Sequence, residues 1–373
     1  MNDPLPVGII GCGAIAQLSH IPCILEHDER FTLAAVSDVS ASLLEAVADR
    51  HGIADRYRDP DDLIARKDIE AVFICHSGSH HATLMKALEA GKHIFCEKPV
   101  GWNLREVEEV AARARRSDRV LQVGYHKLYD PGFAYARSEV QKIPDLALAR
   151  ITVLHPTNEL GLSPHRIRRG GGVIVEGHVD PGSWEHQVSM QREAFTGGAV
   201  EALVDEALGS RKGDPRLRLG YGHLTLSLIH QVYMMFGFLG EPLRVVSTEV
   251  WREGMSIHVV VEYPGDRRCT LDWQFLSHLK DYREEYAFYG NNRRVTMQLP
   301  SPYFLNFPSP VIVQGGEGEL AWEKKVTVSY EEAFRTEVLA FHDNVVGGKR
   351  PATGIEDALR HSRFIQQAID AAR

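Results

Sequence analysis

The sequence predicts an α/β protein: an amino-terminal, doubly wound Rossmann domain on a parallel sheet, then a strand-rich second half. Three observations lead there. Val7 to Ala16 reads V-G-I-I-G-C-G-A-I-A, an apolar run followed by Gly11, Gly13 and Ala16 in the pattern G-x-G-x-x-A. Apolar runs and helix-like segments then alternate as far as Val123, as a parallel sheet covered on both faces requires. Beyond Leu146 the runs alternate apolar with polar residues, the pattern of strands with one buried face.

Each glycine of the loop has its own task. Gly11 allows the tight strand-to-helix turn, Gly13 allows backbone N–H groups to approach a pyrophosphate, and small Ala16 allows close helix–strand packing. The helix N-terminus adds its partial positive charge, so Gly11, Cys12, Gly13, Ala14 and Ile15 are the expected phosphate contacts. The second apolar run, Phe31 to Val36, leads to Asp38, where such a fold places a carboxylate for the adenosine ribose hydroxyls. Asp38 is equally placed to cap a helix over Ser40 to Arg50. No Arg or Lys lies in Val39 to Ser42 to meet a 2′-phosphate, so NAD is expected in preference to NADP.

The strands of this half are expected at Val7 to Ile10, Leu33 to Val36, Ala71 to Cys75, His93 to Cys96 and Val120 to Val123. Helices are expected at Ala14 to Leu25, Ala41 to His51, His81 to Ala90 and Leu104 to Ser117. Ligands collect at the carboxyl ends of such strands. Those ends carry Gly11, Asp38, His76-Ser77-Gly78, Glu97-Lys98-Pro99 and Gly124-Tyr125-His126, with Ser77 a further cofactor contact. In Glu97-Lys98-Pro99 the proline fixes a turn and Lys98 points over the sheet edge toward a nicotinamide. The alternative is a surface turn with a solvated ion pair.

Bulk properties bound the rest. The 373 residues suffice for about two domains of ordinary size, and 44% hydrophobic with 25% charged residues is a globular composition. No stretch is apolar enough to span a bilayer, and Met1 to Pro6 carries no secretory pattern, so a cytoplasmic location is expected. The five cysteines show no metal or disulfide spacing. A net charge of -8 gives no footprint for nucleic acid.

Together V-G-I-I-G-C-G-A-I-A, G-S-H-H-A, A-G-K-H-I-F-C-E-K-P and Q-V-G-Y-H-K-L-Y-D-P resemble the glucose-fructose oxidoreductase/inositol dehydrogenase/MocA (Gfo/Idh/MocA) family over residues 1 to about 131. The resemblance implies that Lys98 lies beside nicotinamide and substrate hydroxyl, that Glu97 and Gln122 line the cofactor side, and that His81 has a structural or cofactor role. It implies a Rossmann domain at 1–127 and an α+β domain at 128–350 with a large, open, mostly antiparallel sheet. A final helix in 351–373 packs back toward the first domain. Strands fit at Leu146 to Leu154, Leu243 to Trp251, Ser256 to Tyr263, Cys269 to Phe275, Tyr286 to Tyr289 and Arg294 to Leu299. Residues 156–221 read as an insertion serving as a lid or subunit contact, with a helix over Gly198 to Leu208. Glu176, His178 and Asp180 within it match no known ligand spacing, and no metal is expected. A homo-oligomer, dimer or tetramer, is implied.

The family usually carries D-x-x-x-H on a helix, the histidine taking the alcohol proton as hydride leaves and the aspartate orienting it. In Gly222 to Gly240 the histidine position is His230, and Leu226 stands where the aspartate belongs. His230 then needs another partner: Tyr233, Gln231, a backbone carbonyl or an acid of the insertion. Its alternative is a hydrogen-bonded core histidine. Substrate contacts are expected from Lys98, Tyr125, Lys127, His155, His230 and Tyr233, with a solvated surface lysine the alternative for Lys127. The expected activity is NAD-dependent hydride transfer with a secondary alcohol of a sugar, glycoside or cyclitol. The alternative is a catalytically silent, NAD-binding sensor.

Overall fold

A computed structural model describes residues 3–172, 174–175, 182–196 and 198–373. The chain divides into two compact units. The first comprises Met1–Tyr125, Leu162–His178 and Phe334–Arg360; the second comprises His126–Gly161, Val179–Ala333 and His361–Arg373.

In the first unit, β1 (Leu5–Ile10), β2 (Phe31–Ser37), β3 (Arg56–Tyr57), β4 (Ala71–Ile74), β5 (His93–Glu97) and β6 (Leu121–Gly124) form one sheet in the order β3-β2-β1-β4-β5-β6. Every pair is parallel. The order reverses at β1, so the crevice for a ligand opens where β1, β2 and β4 end. The connecting helices are α1 (Ile21–Glu26), α2 (Ala41–His51), α3 (Pro60–Ile64), α4 (His81–Glu89) and α5 (Leu104–Ala114). The expected strands and helices are all present; β3 and α3 were too short to announce themselves by periodicity.

Pro22 shapes the first helix. It has no N–H to give the carbonyl four residues back, so the turn Ala16–His20 widens to a π-helix and the Ile21 N–H reaches the Ala16 carbonyl. Ser40 accepts from the Leu43 N–H and caps α2, which assigns Asp38 elsewhere.

The core of this unit is aromatic. Phe73 and Phe95 stack at 4.9 Å, and Phe341 meets their edges at 5.3 and 5.8 Å. Phe341 belongs to α9 (Ala333–Val346), numbered after α6 to α8 of the second unit. Gln122 on β6 fastens α9: its Nε2 donates to the Glu337 carbonyl and its Oε1 accepts from Asn344 Nδ2, both at 3.0 Å. α10 (Ile355–Asp370) follows, and Thr353 just before it exchanges two hydrogen bonds with the backbone of Val123.

In the second unit, β7 (Leu148–His155), β8 (Arg244–Trp251), β9 (Ser256–Tyr263), β10 (Arg267–Phe275), β11 (Arg283–Tyr289), β12 (Arg293–Leu299), β13 (Val311–Glu317) and β14 (Leu320–Val326) form the order β8-β9-β10-β7-β11-β12-β13-β14. Only the β10–β7 pair is parallel. Alternating burial along β9, β10 and β12 gives one packed face, which α6 (Pro131–Val140), α7 (Pro215–Leu226) and α8 (Ile229–Leu239) help to cover. Phe238 of α8, for example, meets the rings of Tyr286 and Phe288. The expected strands and the helix Gly198–Leu208 are present, and β13 and β14 are additional.

One expected helix is two. Gly222 to Gly240 breaks at Ser227-Leu228, where both N–H groups share the His223 carbonyl and Ser227 Oγ accepts from Trp273 Nε1 at 3.0 Å. Leu226 therefore ends α7, and His230 lies in α8.

Glu337 of α9 is fully buried, and neither carboxyl oxygen has a hydrogen-bond partner of normal geometry among the described residues. Burial, with Glu97 nearby, pushes its carboxyl well above the usual range. The folded chain then holds a proton that the unfolded chain releases, so stability falls as pH rises beyond the ordinary carboxylate range. Glu337→Gln should flatten that decline, measured as urea unfolding midpoints across pH; an unchanged slope would contradict the assignment.

Candidate active site

The first unit builds a dinucleotide cradle. Gly11 has φ +98°, and a Cβ there would lie 2.3 Å from the His76 backbone nitrogen, so no other residue fits the crossing of β1 and β4. A Cβ on Gly13, by contrast, would meet no protein atom within 4 Å. That side of the loop has the clearance a pyrophosphate needs, and Gly13, Ala14 and Ile15 are half-buried at the first helical turn, where backbone N–H groups lack intrahelical acceptors.

Asp38 holds the loop in shape. Its Oδ2 accepts from the Cys12 N–H and its Oδ1 from the Ser40 N–H, both at 2.8 Å. Each oxygen keeps a second lone pair, and the side chain is half-buried, so the carboxylate can also accept from ribose hydroxyls. Cys12, expected as a cofactor contact, gives its N–H to Asp38, and its thiol is buried and pushed up to about 12. Arg58, distant in sequence, donates to the Val39 carbonyl at 3.2 Å and brings a cation to the end of β2.

Part of the insertion belongs to this cradle. The Gln17 side-chain amide pairs with the Arg168 backbone in both directions, at 2.8 and 2.9 Å, and its Nε2 also reaches the Cys12 carbonyl. Gly171 N–H donates to Ser42 Oγ, and Arg50 donates to the Arg166 carbonyl. Residues 166–171 are thus tied to the helices that follow β1 and β2. Glu176, His178 and Asp180 lie outside the described residues; among the described residues no cluster of His, Cys, Asp and Glu could hold a metal ion.

At the end of β5, Lys98 is half-buried and followed by a cis peptide to Pro99. Ser77 is exposed after β4. Three expected contacts face inward instead. Glu97 is 8% exposed and bonds His20 Nε2 at 2.8 Å. Gln122 is spent on α9, because its position on β6 points to the face that helix covers. Tyr125 is buried, and burial beside Asp357 and Cys96 pushes its phenol well up. His81 pairs with Glu109 at 2.8 Å on the surface of α4 and α5.

The second unit gathers most of the remaining candidates. His230 is half-buried on α8, and its Nδ1 lies 2.8 Å from Tyr233 Oη, one turn along the same face. Tyr233 is one of the partners weighed for the missing aspartate, and the contact lies among the described residues. His126 meets the His230 ring at 5.3 Å. Lys127 is neither exposed nor free for substrate: at 3% exposure its ammonium pairs with Glu284 Oε2 at 2.5 Å. Burial draws that ammonium below its usual range, while Lys127 and the other donors hold the Glu284 carboxyl below its own despite full burial. Glu284 also accepts from Gln231 Nε2 at 2.9 Å and from the hydroxyls of Tyr282 and Tyr286. His155 ends β7 among the rings of Trp273, Phe275 and Tyr282.

Glu284, Tyr282 and Tyr286 were missed by sequence reasoning. A signal existed: in Asp281-Tyr282-Arg283-Glu284-Glu285-Tyr286 the period of two sets Tyr282, Glu284 and Tyr286 on one face, a carboxylate in line with the apolar side of the strand.

Comparison with known proteins agrees with this architecture. Residues 5–125 match the Gfo/Idh/MocA profile, described as an oxidoreductase family with an NAD-binding Rossmann fold. The chain is 39% identical over 179 residues to the oxidoreductase YrbE of Bacillus subtilis, a match covering 47% of this chain and 51% of that one. It is 29% identical over 338 residues to the myo-inositol 2-dehydrogenase of Thermotoga maritima, covering 84% and 92%. Among solved structures, a 3-ketoreductase from Actinomadura kijaniata in complex with NADP and TDP-benzene superposes with a TM-score of 0.71 at 18% identity, covering 99% of this chain and 98% of that one. With its parallel sheet and Gly-loop cradle, the segment 5–125 matches the NAD-binding Rossmann domain of the Gfo/Idh/MocA oxidoreductase family, and the chain as a whole is similar to oxidoreductases of that family.

Proposed function

We propose that this protein transfers hydride between a nicotinamide dinucleotide and a secondary alcohol or ketone of a sugar, glycoside or cyclitol. The observation that carries the proposal is the Gly11–Ile15 turn with Asp38 braced against it: open at Gly13, closed at Gly11, and carboxylate-bearing where a ribose is read. The inositol dehydrogenase and ketoreductase relatives support a polyhydroxylated substrate. Such a substrate needs fixed polar partners, which the half-buried His155 and His230 offer.

A bound nicotinamide supplies the hydride acceptor or donor. His230 Nε2 takes the hydroxyl proton in oxidation and returns it in reduction, while Tyr233 holds Nδ1 and with it the ring orientation. Lys98 carries a positive charge to the oxygen that gains or loses that proton, the role the E-K-P motif has by resemblance. NAD is preferred over NADP because the Asp38 carboxylate repels a 2′-phosphate; Arg58 at the Val39 carbonyl works the other way. The silent-sensor reading rests on the missing aspartate; the Tyr233 contact, which gives His230 another orienting partner, supports the enzyme. The exposed side chains of Phe304, Phe307, Leu320 and Trp322 suit a homo-oligomeric contact of this unit.

Three measurements test the reading. Purified protein with a panel of sugars, glycosides and inositols, with and without added NAD, should show a change in reduced-nicotinamide absorbance for one substrate class. NAD binding with no response to any of them would favour the sensor. Lys98→Ala should abolish turnover while sparing NAD affinity, followed by cofactor titration; retained turnover would remove Lys98 from the mechanism. Asp38→Ala should weaken NAD at least about tenfold, equivalent to about 1.4 kcal/mol, by calorimetric titration, and unchanged affinity would mean that the ribose is read elsewhere.

A further inference from the structure

Two backbone N–H groups brace Asp38, those of Cys12 and Ser40, and the same inserted segment is fastened beside both. Gln17 Nε2 donates to the Cys12 carbonyl and to the Arg168 carbonyl, each at 2.8 Å, and Gln17 Oε1 accepts from the Arg168 N–H at 2.9 Å. Two residues on, a Cβ at Gly170 would lie 3.3 Å from Ser40 Oγ, and the Gly171 N–H donates to Ser42 Oγ at 3.0 Å. Residues 168–171 therefore bridge the glycine loop and the start of α2, the two elements that Asp38 also joins.

These ties fix the backbone and leave the Arg168 side chain unspent. The Gln17 amide satisfies both polar groups of the Arg168 backbone, and Gln17 is itself buried, which shields the pairing from competing water. Ile167 is buried and pairs with Val175 in a short antiparallel ladder, so the alternation of a strand turns Arg168 away from that apolar anchor. The Arg168 guanidinium is half-buried and has no hydrogen bond or ion pair among the described residues. Gly161 to Val175 adds Arg166 and Arg169 and no acidic residue, in a chain whose net charge is -8. A guanidinium stays charged at any working pH, and one partly withdrawn from water without a counter-ion favours a ligand that brings negative charge, phosphate oxygens above all.

We propose that Arg168 is a cofactor-binding residue: the inserted segment completes the dinucleotide cradle, and the guanidinium pairs with a phosphate of the bound dinucleotide beside the adenosine ribose. The proposal rests on the reading of the Gly11–Ile15 turn and Asp38 as a dinucleotide site. Two phosphate groups adjoin that ribose: the diphosphate on its 5′ carbon, common to NAD and NADP, and the 2′-phosphate of NADP alone. Both present the paired oxygens that a guanidinium fork matches. The residue that supplies the fork stands 151 positions along the chain from the glutamine that holds it.

The test is calorimetric titration of the full chain with NAD and, separately, with NADP, in the wild type and in Arg168→Ala. The variant should bind about tenfold more weakly. Equal losses for the two dinucleotides assign the 5′ diphosphate, and a loss confined to NADP assigns the 2′-phosphate; either upholds the proposal. The wild-type affinity should also fall more steeply with added potassium chloride than that of Arg168→Ala, a charge effect that a merely loosened segment would not produce. Unchanged affinity for both dinucleotides in the variant, or equal salt slopes, would overturn the proposal. Wild-type protein that binds neither dinucleotide would overturn the cradle reading and the proposal with it, whereas firm wild-type binding beside an unaffected Arg168→Ala would sink the proposal alone.

Discussion

The first unit depends on a single close approach. Where β1 leaves the sheet, its backbone passes so near β4 that a methyl group on Gly11 would collide with the His76 backbone. The left-handed turn this demands brings the chain into the following helix, sets Gly13 facing open space and presents the Cys12 N–H to Asp38. Asp38 then ties the ends of β1 and β2 together, and Gln17 on the same helix carries the backbone of residue 168. Loosening that one turn would release the glycine loop, Asp38 and residue 168 of the inserted segment together.

Four carboxyl groups show how environment divides labour among identical chemistries. Asp38 is half-exposed and braced by two backbone N–H groups, so it stays available to a ligand. Glu97 is turned inward to His20. Glu284 is buried and ionised because a lysine and three neutral donors surround it, which offsets the desolvation of a buried charge. Glu337 is buried beside another carboxyl, Glu97, with only the Tyr125 backbone to oppose the desolvation, and is held toward its neutral form.

Much of this was legible in the sequence where the signal is local. The Gly loop, Asp38, the alternation of strands and helices and the E-K-P turn are short patterns whose physics is complete within a few residues. The burial of Gln122, Tyr125 and Lys127 was not legible, because proximity to a strand end says nothing about which face a side chain takes or what distant element covers it. The strand order puts α9 over Gln122 from more than two hundred residues away. Glu284 escaped because its four partners come from three separate segments, and only the fold collects them. Tyr233 was among the partners the sequence offered for His230, and the fold places its hydroxyl 2.8 Å from the ring.

The break between α7 and α8 changes what kind of unit the histidine belongs to. With an aspartate four residues before it, the histidine would take its orientation from the preceding helical turn, and any bend there would swing the two apart. Here the interruption at Ser227-Leu228 falls between positions 226 and 230, while His230 and Tyr233 share the single rigid segment after it. The pair can ride on α8 as one body, indifferent to how α7 tilts. A carboxylate restored at position 226 would therefore sit across a joint from His230, whereas the Tyr233 hydroxyl shares its helix.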